Sequence, residues 1–285
     1  MSETTYQLIA IAIYFVAMLS IGYYAYTRTR SIDGYMLAER GLRPSVAALS
    51  ANASDMSGWL LMGLPGAIYT SGLIEAWIAI GLTIGAYLNW TFVAPRLRAY
   101  TEIAGDSITI PSFFERRTRD TTRLLRVVAA LVILVFFTFY VSSGMVAAGK
   151  FFESSFGWGY LSGMILVAVI TLAYTLFGGF LGATLTDVAQ GLLMFAALVA
   201  VPVVALLQLG DLGDLVAQAE SVNPDAFNLF TGIDGGAIAW VVGIISTTAW
   251  GLGYFGQPHI IVRFMALRTP SEAKIGRRVS TTWMI

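Results

Sequence analysis

The sequence predicts an all-α polytopic membrane protein, on three observations. Its 285 residues are 57% hydrophobic and only 12% charged, with a mean hydropathy of +0.73. A soluble domain of this length cannot hide so much apolar surface. The apolar residues fall into runs as long as a bilayer requires, about 20 residues for each spanning helix. The basic residues collect in the gaps between those runs, as they do in loops held on the cytoplasmic side.

Taken in order, residues 7–27, 76–95, 127–149, 188–210 and 235–262 are charge-free runs of spanning length. Residues 44–74 form another, interrupted only by Asp55, and 157–186 a further one broken at Gly178-Gly179. Seven spans are therefore expected. A basic linker then leads to "STTWMI" at 280–285, which reads as the start of an eighth span, so the chain is expected to be a fragment of one transmembrane domain covering 1–285.

Orientation follows from the loops. Arg28, Arg30, Arg40 and Arg43 follow the first span, seven arginines from Arg96 to Arg126 follow the third, and Arg263 to Arg278 follow the seventh. With the N-terminus outside, sixteen of the seventeen basic residues face the cytoplasm and Lys150 is the exception. The 211–234 loop carries Asp211, Asp214, Glu220, Asp225 and Asp234 with no Lys or Arg, as an external loop can. The first span has its positive charges after the apolar run, the reverse of a cleaved signal peptide. With no cysteine and one histidine, His259, neither disulfides nor a thiolate or histidine metal cluster can form. No phosphate-binding Gly-rich loop is present, so transport by this chain would draw on a gradient and not on ATP.

Asp55 sits in "SANASDMSGWLLMGLPG", residues 50–66. A carboxylate at membrane depth costs several kcal/mol unless it is solvated, paired or bound to a cation, so its default reading is functional. The alternative is a protonated Asp hydrogen-bonded to a carbonyl and holding helices together. Ser50, Ser54, Ser57 and Gly58, with Gly63, Pro65 and Gly66, make a stretch poor at staying helical and rich in oxygen. An unwound turn there would offer carbonyls to a hard cation and partial charges of both signs to a zwitterionic solute. The seventh span carries a comparable interruption in "ISTTAWGLGYFGQPH", with Gly251, Gly253, Gly256 and Pro258.

Transporters built from inverted repeats place equivalent broken helices in both halves. Counting 7–27 as an extra helix, 44–210 holds five spans of a first repeat and 235–285 begins a second, a five-plus-five arrangement. Plain helix packing is the competing reading of these glycines. Trp250 and Tyr254, four apart, would share a helix face as interfacial anchors or packing residues.

The two broken stretches, with "YTLFGGFLGATLTDVAQGLLMF" at 174–195, resemble the sodium/solute symporter family along the whole chain. The resemblance implies a LeuT-like core of two inverted five-helix repeats behind one extra helix, in a bacterial inner membrane. It also implies sodium-coupled uptake of a small solute, L-proline by the nearest likeness, with no enzyme activity and no cofactor beyond Na+ as coupling ion. Its partners are the solute, sodium and the lipid bilayer, with neither nucleic acid nor an obligatory protein partner. Residue by residue, it implies sodium binding by the backbone oxygens of Ala53 and Met56 beside Asp55, with Asp187 at the mouth of span six in sodium entry or gating. Ser57, Tyr140, Trp250, Tyr254 and Pro258 match positions of the proline site or its access. Ser50, Ser54, Gly58 and Gly63 belong to the helix break, and Arg40 to gating, although "AERGL" around it departs from the family's usual "GGRSL". A pyrrolidine ring suits aromatic faces, and its carboxylate can be met by sodium or helix N–H groups.

Two other functions fit the same residues: symport of a different small solute, and a transporter-like sensory module of a signalling protein. An intramembrane aspartyl protease would need Asp55 and Asp187 facing each other, and neither has the Gly-x-Gly-Asp context.

Overall fold

Helix α1 (Glu3–Arg28) is apolar along nearly its whole length and opens an all-helical chain, seen in a computed structural model that describes residues 3–230 and 236–285. Asp234 and Gly235, the end of the acidic loop and the start of the predicted seventh span, lie outside the described residues. A short α2 (Ile32–Leu37) is capped by Ser31, whose hydroxyl accepts the Gly34 N–H at 2.9 Å. It runs into a 3-10 turn, Ala38–Arg40, in which three consecutive non-glycine residues hold positive φ of 50°, 51° and 52°. Such backbone costs about 1–2 kcal/mol per residue and persists only where its surroundings enforce it.

The predicted second span is two helices. α3 (Pro44–Asp55) ends at Asp55, a break follows at Met56 and Ser57, and a π-turn, Trp59–Gly63, leads into α4 (Leu64–Ser71). α5 (Ala76–Leu88) passes through a second π-turn, Asn89–Val93, into α6 (Ala94–Ile103). Both π-turns come just before a proline, Pro65 and Pro95. A widened turn drops the backbone bond that proline cannot make, which is why the helix continues eight residues beyond Pro95, where sequence placed its end. α7 (Ile110–Thr118) opens on a reciprocal Thr109–Ser112 capping box, and α8 (Leu124–Phe156) is a single 33-residue helix.

α9 (Tyr160–Leu209) contains the predicted fifth and sixth spans, divided at Gly179 with φ 58° and ψ −154°. A Cβ on Gly182 would lie 3.3 Å from the Tyr174 carbonyl eight residues earlier, so the chain turns a corner here. Fifty residues of straight helix would extend about 75 Å, well over twice the hydrocarbon thickness. The second segment thus starts at 180 and not at 188. α10 (Leu212–Val222), α11 (Gly236–Thr248), a 3-10 stretch Ala249–Phe255, α12 (Pro258–Met265) and α13 (Ala273–Met284) complete the order. Residues 280–284 are the end of α13, which begins at Ala273, and Ile285 caps it.

Among the described residues, five helical stretches are by themselves long and apolar enough to cross a membrane: Thr4–Arg28, Leu73–Ile103, Leu124–Phe156, Tyr160–Gln208 and Ile238–Phe255. The buried core lies where α3, α5, α6 and α12 meet, on small residues such as Ala47, Ala48 and Ala51 against Trp90, Phe264 and Met265. Leucine, valine and phenylalanine on α8 and α9 point outward instead, as a bilayer-facing surface does. Where α5 crosses the 249–255 stretch, backbone touches backbone: a Cβ on Gly85 would sit 2.2 Å from the Gly251 carbonyl oxygen. Gly251 therefore serves packing as well as interrupting the helix.

Candidate functional site

The two interruptions anticipated from the glycines and prolines come together. α3 stops because Met56 adopts φ −68° and ψ 101°, outside the helical region, with its N–H shared between the Asn52 and Ala53 carbonyls at 3.3 and 3.2 Å. A carbonyl oxygen has two lone pairs, so Ala53 keeps one for another ligand. Ser57 lies in the break, and its carbonyl accepts the Leu61 N–H at 3.2 Å. Gly58 faces α8, where a Cβ would lie 3.0 Å from that of Ala147, and Gly63 folds under the Trp59 ring.

Half-buried Asp55 accepts a hydrogen bond from the hydroxyl of Tyr254, which is buried in the 3-10 stretch. The broken second span thus touches the broken seventh through a carboxylate and a phenol. The Tyr254 carbonyl is held in turn by the Asn89 amide at 2.8 Å, from the π-turn after α5. A cavity of about 310 Å³ opens beside this contact, lined by Asn52, Asp55, Met56, Thr83, Tyr254 and Trp283 among others.

A second network occupies another face of α3. Consecutive helix residues point about 100° apart while i and i+4 nearly align, so Ser50 and Ser54 share a side that Asp55 does not. Their hydroxyls donate to Asp187 Oδ2 at 2.7 and 3.0 Å. The same oxygen accepts from Arg263 at 2.6 Å. Asp187 lies well within its helix, two turns past Phe180, and not at the start of the 188–210 span expected from sequence; the corner at Gly179 sets that earlier start. Tyr140 of α8 donates to the Ser54 carbonyl at 2.8 Å and lies 5.1 Å, ring to ring, from His259. Trp250 packs 4.6 Å from Trp59, leaving both rings partly exposed, and Pro258 forms the first turn of α12.

The structure accordingly divides the residues singled out from sequence. Asp55, Met56 and Tyr254 meet at the cavity; Ser57, Tyr140, Trp250 and Pro258 are not among its lining residues. Arg40 is remote from both groups. It donates to Asp106 at 2.7 Å, to Thr101 at 2.9 Å and to the Met265 carbonyl at 3.3 Å, pinning the strained turn to the end of α12. Among the described residues no three His, Asp or Glu side chains converge as metal ligands, so a cation here would rely on carbonyls, hydroxyls and the lone Asp55 carboxylate.

Sequence reasoning missed Arg263 and Arg98. Both were counted as loop charges, yet they are only 6% and 4% exposed. Arg98 reaches the Leu267 and Arg268 carbonyls at 2.5 and 3.0 Å. A signal for Arg263 existed, because "HIIVRFMA" embeds a charge in apolar residues just as Asp55 is embedded. Asn52 was also overlooked: its amide donates to the Ser280 carbonyl at 3.0 Å and its oxygen accepts from the Ser280 hydroxyl at 2.7 Å.

Two interrupted helices that meet at a carboxylate beside a cavity form the kind of broken-helix site found in transporters built from repeats. The chain belongs to the sodium:solute symporter family, whose sequence model matches residues 35–285. It is 58% identical over 268 residues to the high-affinity proline transporter PutP of Bacillus subtilis (strain 168), covering 94% of this chain and 55% of that protein. To the osmoregulated proline transporter OpuE of the same organism it is 53% identical over 278 residues, covering 98% and 55%. The sodium/proline symporter of Staphylococcus aureus (strain NCTC 8325 / PS 47) is 50% identical over 277 residues, with 97% and 53% covered. The chain therefore spans about half the length of these relatives. A solved structure described as the substrate-bound outward-open state of a Na+-coupled sialic acid symporter superposes with a TM-score of 0.80 at 18% identity, over 95% of this chain and 56% of that one. It shares the fold.

Proposed function

We propose that the protein carrying this sequence takes up L-proline with sodium across a bacterial cytoplasmic membrane, its N-terminus outside. The observation that carries the reading is the Tyr254 hydroxyl bound to Asp55, which joins the two helix breaks at one carboxylate. Relatives at 50–58% identity that are named as proline transporters supply the solute. On this reading 1–285 is one transmembrane domain. Residues 7–27 are the extra helix, 44–210 the first five-span repeat of a LeuT-like fold, and 235–285 the opening of the inverted second.

Sodium binds at the Ala53 and Met56 carbonyls beside Asp55, in an oxygen-rich setting suited to a hard cation. Ordering this break also orders the solute site, so sodium raises proline affinity and proline raises sodium affinity by the same factor. The proline ring packs against Tyr140, Trp250 and Tyr254, with Ser57 and Pro258 at the edges of the two breaks. Its carboxylate is met by sodium and by N–H groups at the breaks, so no lysine or arginine is needed. Ser50, Ser54, Gly58, Gly63 and Arg40 take part as the repeats rock between outward and inward states. An inward-negative potential adds about 2.3 kcal/mol per charge per 100 mV.

The test is initial uptake of radiolabelled proline into proteoliposomes holding the complete gene product, under an inward sodium gradient or a matched potassium gradient. Uptake should require sodium and fall to background in Asp55→Asn. Equal rates under both gradients would refute sodium coupling, and no uptake under either would refute proline as the solute.

A further inference from the structure

Arg263, buried on α12, donates from all three of its guanidinium nitrogens. Its Nε donates to the Ser50 hydroxyl at 2.7 Å, one terminal nitrogen donates to Asp187 at 2.6 Å, and the other donates to the His259 carbonyl. Ser50 in turn donates its own hydroxyl hydrogen bond to the same Asp187 oxygen, and Ser54 adds a further bond to it. The guanidinium also lies 5.9 Å from the centre of the Phe180 ring. Phe180 and Asp187 are seven apart and share a helix face, so Arg263 grips the first two turns of segment 180–209 at both ends.

That segment is joined to the preceding helix only through the corner at Gly179. A side chain cannot replace this glycine, because its φ is positive and a Cβ would lie 2.7 Å from the Tyr35 ring. Three separate elements, α3, α12 and segment 180–209, are thus tied at one ion pair whose arginine is buried and whose aspartate is half-buried. α3 and α12 are the halves of the two broken spans that the proposed transport cycle has to move. Removing one partner of such a charge-assisted pair is costly, because it leaves the other charge uncompensated in the protein interior.

We propose that Arg263 is a positioning residue for transport: its ion pair with Asp187 is a latch holding segment 180–209 against α3 and α12, and the latch opens once in each cycle. Asp187 on this view acts in coupling through Arg263. The inference rests on the reading of the protein as a sodium-coupled transporter, and its primary readout needs no solute.

The chain has no cysteine, so a single reporter can be placed in it once any cysteine elsewhere in the complete gene product has been replaced. Thr184 suits, being fully buried on segment 180–209. Its labelling by a water-soluble maleimide, as Thr184→Cys, reads latch opening in purified protein. Labelling is expected to speed up at least tenfold when Arg263→Met or Asp187→Asn is added, and to return to the parent rate in the charge-swapped pair Arg263→Asp/Asp187→Arg. Arg263→Lys, which keeps the charge without the planar fork, should fall between. Should Arg263→Met fail to give a monodisperse protein, Arg263→Lys and Asp187→Asn carry the comparison.

Unchanged labelling in the single variants that fold, or accelerated labelling that the swap leaves uncorrected, would overturn the latch. Transport gives a second readout: the variants should lower the maximal uptake rate more than they shift the half-saturating proline concentration. If labelling responds as expected while proline uptake is absent from the unmodified protein, the latch stands and the solute assignment falls. If uptake is sodium-coupled and labelling does not respond, the reverse holds.

Discussion

Gly85→Ala tests whether the close crossing of α5 over the 249–255 stretch sets the geometry of the candidate site. The new methyl would lie 2.2 Å from the Gly251 carbonyl oxygen and 2.6 Å from its Cα, whereas ordinary contact begins near 3.4 Å. The obstacles are backbone atoms, so no rotamer change relieves the clash and the two elements have to part by more than an ångström. Overpacking of this kind costs about 1–3 kcal/mol. The displaced stretch carries Tyr254, so its hydroxyl is pulled from Asp55, and misplacement by about 1 Å lowers rates by as much as about a hundredfold where positioning is critical. The assays are thermal unfolding in detergent and sodium-driven proline uptake by the complete gene product. Gly66→Ala is the control: it also lies in a helix interior, but with nothing within 4 Å of its Cβ position. There alanine should stabilise the helix by about 0.5–1 kcal/mol. Equal melting temperature and equal uptake in Gly85→Ala and the unmodified protein would refute the crossing as described.

Tyr254→Phe removes only the hydroxyl that binds Asp55; hydrogen bonds to charged groups contribute about 1.5–3 kcal/mol, so the sodium concentration for half-maximal uptake should rise at least tenfold, and an unchanged value would detach Tyr254 from the ion site. Asn52→Ala leaves the buried Ser280 hydroxyl and carbonyl without their partner and should cost about 1–3 kcal/mol in thermal unfolding; a neutral result would mean that α13 is anchored elsewhere. Asp120, on the loop before α8, accepts from the Thr122 hydroxyl and the Leu125 N–H, which hold its carboxyl below the usual 3.8. A depressed pKa stabilises the folded state above the unfolded value and is lost as pH falls through the folded one. Hydrogen exchange at Leu125 should therefore be slow at neutral pH, speed up only below about pH 3.8 after correction for intrinsic rates, and lose that pH dependence in Asp120→Asn.

Much of the membrane architecture was legible because apolar run length is a direct physical requirement of the bilayer. α1 and α8 follow from it with little ambiguity. The break after Asp55 was legible too, since a carboxylate in an apolar run is costly unless something binds it, and the serines and glycines around it loosen the helix. Boundaries were less so. Pro95 reads as a stop, yet the π-turn before it lets the helix continue, and Gly178-Gly179 reads as a weak point where the structure turns a full corner. Charge counting placed Arg98 and Arg263 in loops, because the Leu267 carbonyl is 169 residues from Arg98 and Asp187 is 76 residues from Arg263. Hydrogen bonds over such separations leave no local pattern. Tyr140 was singled out through family resemblance alone, and the structure places its hydroxyl on the Ser54 carbonyl, outside the residues that line the cavity.

The most direct test of the central claim is equilibrium binding of radiolabelled proline to the purified complete gene product across a series of sodium concentrations, with choline holding ionic strength constant. Proline affinity should rise steeply with sodium in the unmodified protein and become independent of sodium in Asp55→Asn. Sodium-independent affinity in the unmodified protein, or an unaltered sodium response in the variant, would contradict the placement of coupling at the Asp55 break.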